Sequence, residues 1–141
     1  MTTSIIIDKL NKLIIENSED YDNLEVVDEL TNYLRQNSDG HLACEAMINL
    51  LERHPEIEFG TPGEPVHTIE TFRGYYEEFL IQSLEKHPTQ MTVWMLNRII
   101  NGQEESYKRT LIQILNSCIT HPLADQNTTD SAKDFYEYQT Q

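Results

Sequence analysis

The dipeptide His-Pro occurs three times in this chain, at His54-Pro55, His87-Pro88 and His121-Pro122, with spacings of 33 and 34 residues. Five histidines and five prolines in 141 residues would give about 0.2 such pairs by chance. Proline disfavours helical geometry at the residue before it, so each pair predicts the end of a helix near its histidine. Regularly recurring helix ends are typical of stacked helix pairs, and coincidence among ordinary helix ends is the alternative.

The residues before the first two pairs also match, because Leu-Glu-Arg precedes His54 and Leu-Glu-Lys precedes His87. Arg53, Lys86 and the histidines would then lie at carboxyl-terminal helix ends. The helix dipole is negative there, so positive charge is favourable. We therefore expect these side chains to stabilise the helix ends as cations.

Apolar residues at helical spacing predict about seven helices, and no segment alternates as a strand would. The predicted helices cover 4–16, a segment from 22 to about 34, 41–53, 66–86, 90–100, 104–119 and 130–138. With 38% hydrophobic residues, the chain is expected to form one all-α domain over 1–141. Its expected architecture is a set of stacked antiparallel helix pairs, either a HEAT-like α-solenoid or a helical bundle.

Several details of these helices are also predicted. Asp22 is expected to cap the second helix, and the buried stripe of that helix is expected to be Val26, Val27, Leu30, Tyr33 and Leu34. Gly74 falls inside the fourth predicted helix, where a glycine costs about 1 kcal/mol relative to alanine and is expected to mark close packing. The segment 55–65 holds three prolines and two glycines, which predicts a loop.

The net charge is −14, from 24 acidic and 10 basic residues. Direct binding to nucleic acid or to an anionic membrane is therefore disfavoured, whereas a basic protein would be attracted. No segment is apolar enough to span a bilayer, and the first residues lack the pattern of a secretory signal. Cys44 and Cys118 lie in apolar contexts and are expected to be reduced core thiols of a cytoplasmic protein rather than a disulfide.

The motifs of the common enzyme classes are missing, so we expect no catalytic residues and no cofactor. Gly60-Thr61-Pro62-Gly63 is better explained as a turn than as a phosphate loop, because its prolines remove amide donors. His67 and Glu70 could share a helix face, but two ligands do not make a zinc site, so no metal is expected. A catalytic pairing of cysteine with histidine is disfavoured, since buried thiols are usually inert.

Arg98 lies in the most apolar predicted helix, four residues after Trp94. An unpaired buried cation is expensive, so we expect a structural ion pair with Glu70. Binding of a ligand carboxylate by Arg98 is the alternative. Glu70, Trp94 and Arg98 are therefore structural candidates.

Acidic residues are concentrated in one segment. Between 16 and 29 there are seven acids and no basic residue. Asp22, Glu25 and Glu29 recur at spacings of three and four and should share an outward helix face. A surface needed only for solubility normally mixes both signs. Either this face binds a partner or it is only solvated, and the partner-binding candidates are Glu16, Glu19, Asp20, Asp22, Glu25 and Glu29.

Residues 59–102, about a third of the chain, resemble a family of small bacterial helical proteins. The matching residues are Phe59-Gly60, Pro62-Gly63, Val66-His67, Ile69-Glu70, Tyr76, Ser83-Leu84, Pro88-Thr89 and the segment from Thr92 to Arg98. The family is that of the immunity proteins of polymorphic and contact-dependent growth inhibition toxin systems. Most of these positions are core or turn positions, so the resemblance implies a fold more than a site.

This resemblance implies a protein that binds one cognate toxin and blocks it without catalysis. A strongly acidic inhibitor suits a basic, nuclease-like toxin, since complementary potentials speed association. A helical-repeat scaffold or adaptor is the alternative, and an enzyme is disfavoured by the missing motifs. If the acidic face is only solvated, the 55–65 loop or Tyr75 and Tyr76 would be the next candidates for docking.

Overall fold

The computed structural model describes residues 1–141 as eight α-helices and one 3-10 helix, without a strand. The elements are α1 (Thr3–Lys12), α2 (Tyr21–Gln36), the 3-10 helix (Gly40–Ala43), α3 (Cys44–Arg53), α4 (Glu64–Thr71), α5 (Glu77–Lys86), α6 (Gln90–Ile100), α7 (Glu105–Ile119) and α8 (Gln126–Gln139). The prediction of an all-α fold is confirmed. None of the eight helices combines the length and the apolar character that crossing a membrane requires.

The chain forms two compact units, Met1–Phe79 and Leu80–Gln141, and the boundary falls within α5. In the first unit α2 packs against α4, and α1 packs against α3. The core of this unit includes Ile6, Leu10, Leu34, Met47, Leu50 and Ile69. A single domain over 1–141 stays a prediction.

In the second unit α8 packs against both α6 and α7. Its core includes Leu84, Val93, Leu96, Leu111 and Leu115. Helix α8 contributes only Thr128 and Ala132 as fully buried residues. Side-chain amides also hold it in place, because Gln139 Nε2 donates to Asn97 Oδ1 at 2.9 Å and to Asn101 Oδ1 at 2.7 Å.

The prediction that His-Pro pairs follow helix ends is confirmed at all three places. Helices α3, α5 and α7 end at Arg53, Lys86 and Ile119, which are 33 residues apart. The rings of His54 and His121 bind backbone groups through both nitrogens rather than acting as free cations at these ends. His121 Nδ1 accepts the backbone N–H of Leu123 at 3.1 Å, so its Nε2 carries the proton that is donated to Glu85 O at 2.8 Å. This ring is therefore a neutral tautomer that joins the end of α7 to α5.

The prediction of a single helix over 66–86 is wrong, because the helix is interrupted between the end of α4 at Thr71 and the start of α5 at Glu77. Gly74 in this break has φ +93°, which side-chain-bearing residues rarely adopt. Nothing lies within 4 Å of the position that its Cβ would take, so close packing is not the reason for the glycine. The backbone N–H of Gly74 donates to the Glu77 carboxylate at 2.9 Å, which connects the turn to the start of α5.

The start of α2 also differs from the prediction. The helix begins at Tyr21, so Asp22 lies in its first turn and does not cap it. In contrast, α6 runs over the predicted range Gln90–Ile100. Thr89 and Thr92 close its amino-terminal end as a capping box, in which each side chain binds the backbone of the other.

The buried stripe of α2 is narrower than predicted. Its buried residues are Val27, Leu30, Thr31 and Leu34, whereas Val26 and Tyr33 are exposed. Leu30, Thr31 and Leu34 follow Val27 by three, four and seven residues, so these four residues share one helix face. Val26 and Tyr33 each lie one position before a residue of this face, and their side chains point away from it. The prediction that Val26 and Tyr33 are buried is therefore wrong, and both belong to the solvent side.

Candidate partner-binding surface

The solvent side of α2 carries three of the six acidic candidates. Asp22, Glu25 and Glu29 are all exposed, as expected from their spacing. Glu16 and Glu19 are exposed in the loop that precedes the helix. The buried side of α2 packs against α4, α1 and the 3-10 helix, so these carboxylates lie opposite the packed side.

Asp20 differs from the other five candidates because the loop itself uses its carboxylate. Its Oδ2 atom accepts the backbone N–H of Glu16 at 3.2 Å and the side-chain amide of Asn23 at 2.8 Å. These hydrogen bonds lower the pKa of Asp20 below its ordinary value, and the bond from Asn23 has the larger effect. Asp20 therefore orders the entry to α2, and its contact with a partner stays a prediction.

Hydrogen bonds connect the loop before α2 to the end of α3. Arg53 Nη2 donates to Leu10 O at 3.0 Å and to Leu13 O at 3.2 Å, which satisfies carbonyls at the end of α1. His54, which is buried, binds the backbone of Ile15 in the same loop. The first His-Pro pair thus fixes the position at which the acidic segment begins.

The segment after the first His-Pro pair touches this acidic loop. The Ser18 hydroxyl oxygen accepts the backbone N–H of Glu58 at 2.9 Å. Glu56 and Glu58 are both exposed. The two docking candidates, the acidic segment and the 55–65 loop, therefore meet at Ser18 and Glu58 and form adjoining parts of one surface.

The single cation of α2 is engaged by an acid of the neighbouring helix. Arg35 Nη2 lies 2.7 Å from Glu64 Oε2, and this ion pair joins the last turn of α2 to the first turn of α4. Asp28 keeps a raised pKa, because of its partial burial and then the nearby carboxylates of Glu64 and Glu25. The amino-terminal turns of α2 are therefore negative without a counter-charge of their own.

Two exposed tyrosines lie among these carboxylates. Tyr21 is 70% exposed and Tyr33 is 42% exposed. Neither was among the sequence-derived site candidates, and Tyr33 had been assigned to the core. For Tyr33, the signal that could have found it is the position of Thr31, since a stripe centred on Thr31 places Val26 and Tyr33 on the solvent side.

The tyrosines considered as an alternative docking site have different environments. Tyr76 is buried, with only 6% exposure, so its proposed role in docking is wrong. Tyr75 is exposed, and its ring lies 4.1 Å from the ring of His41. Of the pair Tyr75 and Tyr76, only Tyr75 is therefore accessible to a partner.

The structural candidates also need one correction. Arg98 is exposed, not buried, because it lies on the solvent side of α6, although most residues of that helix are apolar. Its guanidinium lies 4.8 Å from the centre of the Trp94 ring, which is a cation–π arrangement. Glu70 is half-buried in the first unit, and its pairing with Arg98 stays a prediction.

The cysteines are free and buried, as expected for core thiols. Burial raises the pKa of Cys44 to about 12 and that of Cys118 to about 11, so both thiols stay protonated near neutral pH. His67 is exposed on α4 beside the half-buried Glu70. No group of three or more histidine, cysteine, aspartate or glutamate side chains is placed to hold a metal ion.

No family model, curated protein or solved structure matches this chain. The resemblance to immunity proteins therefore stays a prediction.

Proposed function

We propose that this chain is an immunity protein that binds a cognate bacterial toxin and neutralises it. Its partner is a basic, nuclease-like toxin domain, and the inhibition is steric and electrostatic, without a catalytic step. The place of action is the cytoplasm, and neither nucleic acid nor membrane is bound directly.

The single observation that carries this proposal is the unbalanced charge of the segment 16–29. It contains seven acids and no basic residue, and five of the six candidates in it are exposed. Like charges on one helix face destabilise the helix by a few tenths of a kcal/mol per pair. A partner of opposite charge explains why this helix keeps the destabilising like charges over two turns, because the negative potential of the face attracts and orients such a partner.

The test uses the protein encoded directly upstream of this chain, because an immunity gene follows its toxin gene. Cells that produce the carboxyl-terminal domain of that upstream protein are expected to stop growing, and co-production of this chain is expected to restore growth. The triple variant Asp22→Lys, Glu25→Lys and Glu29→Lys is compared with the wild type in the same assay. Toxicity that persists in the presence of correctly folded wild-type chain would contradict the proposal.

A helical-repeat scaffold is the second candidate, favoured by helix ends that recur every 33 residues at Arg53, Lys86 and Ile119. A scaffold would bind its partners without changing their activity. The growth assay separates the two candidates, because only an immunity protein rescues cells from one specific toxin.

A further inference from the structure

Four exposed residues form a continuous row along α2. Tyr21, Glu25, Glu29 and Tyr33 follow one another at steps of four residues, and all four are exposed. Side chains four residues apart line up as a ridge on a helix surface. We call this row the α2 ridge; it places two carboxylates between two aromatic rings.

The ridge is not occupied by other parts of the first unit. The opposite side of α2 makes the contacts with α4, α1 and the 3-10 helix. Tyrosine is enriched at the centre of protein interfaces, and here two tyrosines lie on one helix face together with two carboxylates. The ridge therefore has the composition of a docking surface, and its charge decides which occupant fits.

We propose that the α2 ridge recognises arginine side chains of a basic protein segment, each held against a tyrosine ring beside a glutamate. The proposal rests on the proposed function and deepens it by naming what the partner presents. Each end of the ridge offers the same pair, Tyr21 with Glu25 and Tyr33 with Glu29. At a rise of 1.5 Å per residue the two rings are about 18 Å apart along the helix axis.

Arginine fits this pairing better than lysine. Its planar guanidinium stacks on an aromatic face and at the same time forms two parallel hydrogen bonds to a carboxylate. A lysine ammonium is more strongly hydrated and lacks the planar fork. A second copy of this chain would bring one acidic ridge against another, so repulsion disfavours that occupant.

The test measures binding of the full chain to oligoarginine and oligolysine peptides of equal length, by fluorescence anisotropy at near-physiological salt. We expect the wild type to bind oligoarginine about tenfold more tightly, the effect of two exposed cation–π contacts. Tyr21→Ala with Tyr33→Ala should abolish this preference while leaving oligolysine binding largely unchanged. Glu25→Gln with Glu29→Gln should weaken the binding of both peptides.

The matched control is Tyr107→Ala with Tyr138→Ala, since both of these tyrosines are exposed in the second unit. It should keep the preference for oligoarginine, and so should Tyr21→Phe with Tyr33→Phe, which retains the rings. The proposal would be overturned if the wild type and the Tyr21→Ala, Tyr33→Ala variant preferred oligoarginine over oligolysine equally. Circular dichroism checks that the variant is folded.

The peptide and growth assays fail independently. Rescue of growth without a ridge-dependent preference for arginine would leave the immunity function standing and remove the arginine proposal. A ridge-dependent preference without rescue would support arginine recognition and contradict the immunity function.

Discussion

The Nε2 atom of His54 accepts the backbone N–H of Ile15 at 3.1 Å, across 39 residues of sequence. Because Nε2 is the acceptor, Nδ1 carries the proton and donates to Leu50 O at 2.8 Å. The buried imidazole is thus a neutral bridge between the end of α3 and the residue directly before the acidic segment. The first His-Pro pair both ends a helix and positions the surface that we propose binds the toxin.

Replacing His54 by alanine should lower the free energy of unfolding by about 3 kcal/mol, because two buried backbone groups lose their partner. The control is His67→Ala, an exposed histidine of α4, which should change stability by less than about 0.5 kcal/mol. Urea unfolding followed by circular dichroism measures both. Equal effects of the two substitutions would show that the His54 bridge does not stabilise the fold.

Gly74→Ala should destabilise the protein by about 1–3 kcal/mol, although there is open space around the added methyl group. The cause is the backbone, since Gly74 has φ +93°. Gly102 is the matched control, because it has no such φ and its nearest contact would be at 4.0 Å. Gly102→Ala should leave stability unchanged or raise it by up to about 1 kcal/mol. Thermal unfolding of the two variants tests the difference in sign.

Thr128→Val should stabilise the protein by about 1 kcal/mol. The Thr128 hydroxyl is fully buried and has no hydrogen-bond partner, so valine removes a desolvated polar group at nearly constant volume. In the control Thr31→Val the lost hydroxyl donates to Val27 O at 2.9 Å, and stability should fall by about 1 kcal/mol. A loss of stability in the Thr128 variant would contradict this account of α8.

Stability should decline between about pH 9 and pH 11 because of the two cysteines. The folded-state pKa values are raised to about 12 for Cys44 and about 11 for Cys118. Above the ordinary value of 9.0 the unfolded chain releases these protons while the folded chain keeps them. The free energy of unfolding should therefore fall by up to about 1.4 kcal/mol per pH unit for each thiol.

The double variant Cys44→Ala with Cys118→Ala is the control for this decline. It is less stable at neutral pH, but its stability should fall less steeply above pH 9 than that of the wild type. Parallel curves from urea unfolding at each pH would show that the thiols are not responsible.

The helical class and the helix ends could be predicted from the sequence because each has a local cause. Proline acts on the residue before it, so the ends of α3, α5 and α7 follow from the His-Pro pairs. The same locality explains α6, whose start is set by Thr89 and Thr92. The break at Gly74 could not be predicted, since a glycine in an amphipathic pattern is compatible with a continuous helix until its φ is known.

Burial was harder to predict than helicity. The exposed Tyr33 and Arg98 each lie next to a buried neighbour, and one step along a helix rotates a side chain by 100°. Apolarity alone assigned Tyr33 to the core, although its hydroxyl and ring can lie in solvent. The hydrogen bond between His54 and Ile15 also could not be predicted, because it joins segments 39 residues apart.

The proposed function requires that the α2 acids attract a basic toxin, and the dependence of the association rate on ionic strength tests this most directly. Stopped-flow mixing would compare the wild type with the variant that carries lysine at Asp22, Glu25 and Glu29, using the toxin domain identified by the growth assay. We predict association about tenfold slower for the variant at low salt, with the two rates converging as salt screens the charges. Equal rates at low salt, from a variant with wild-type helix content, would contradict the proposed role of the α2 acids.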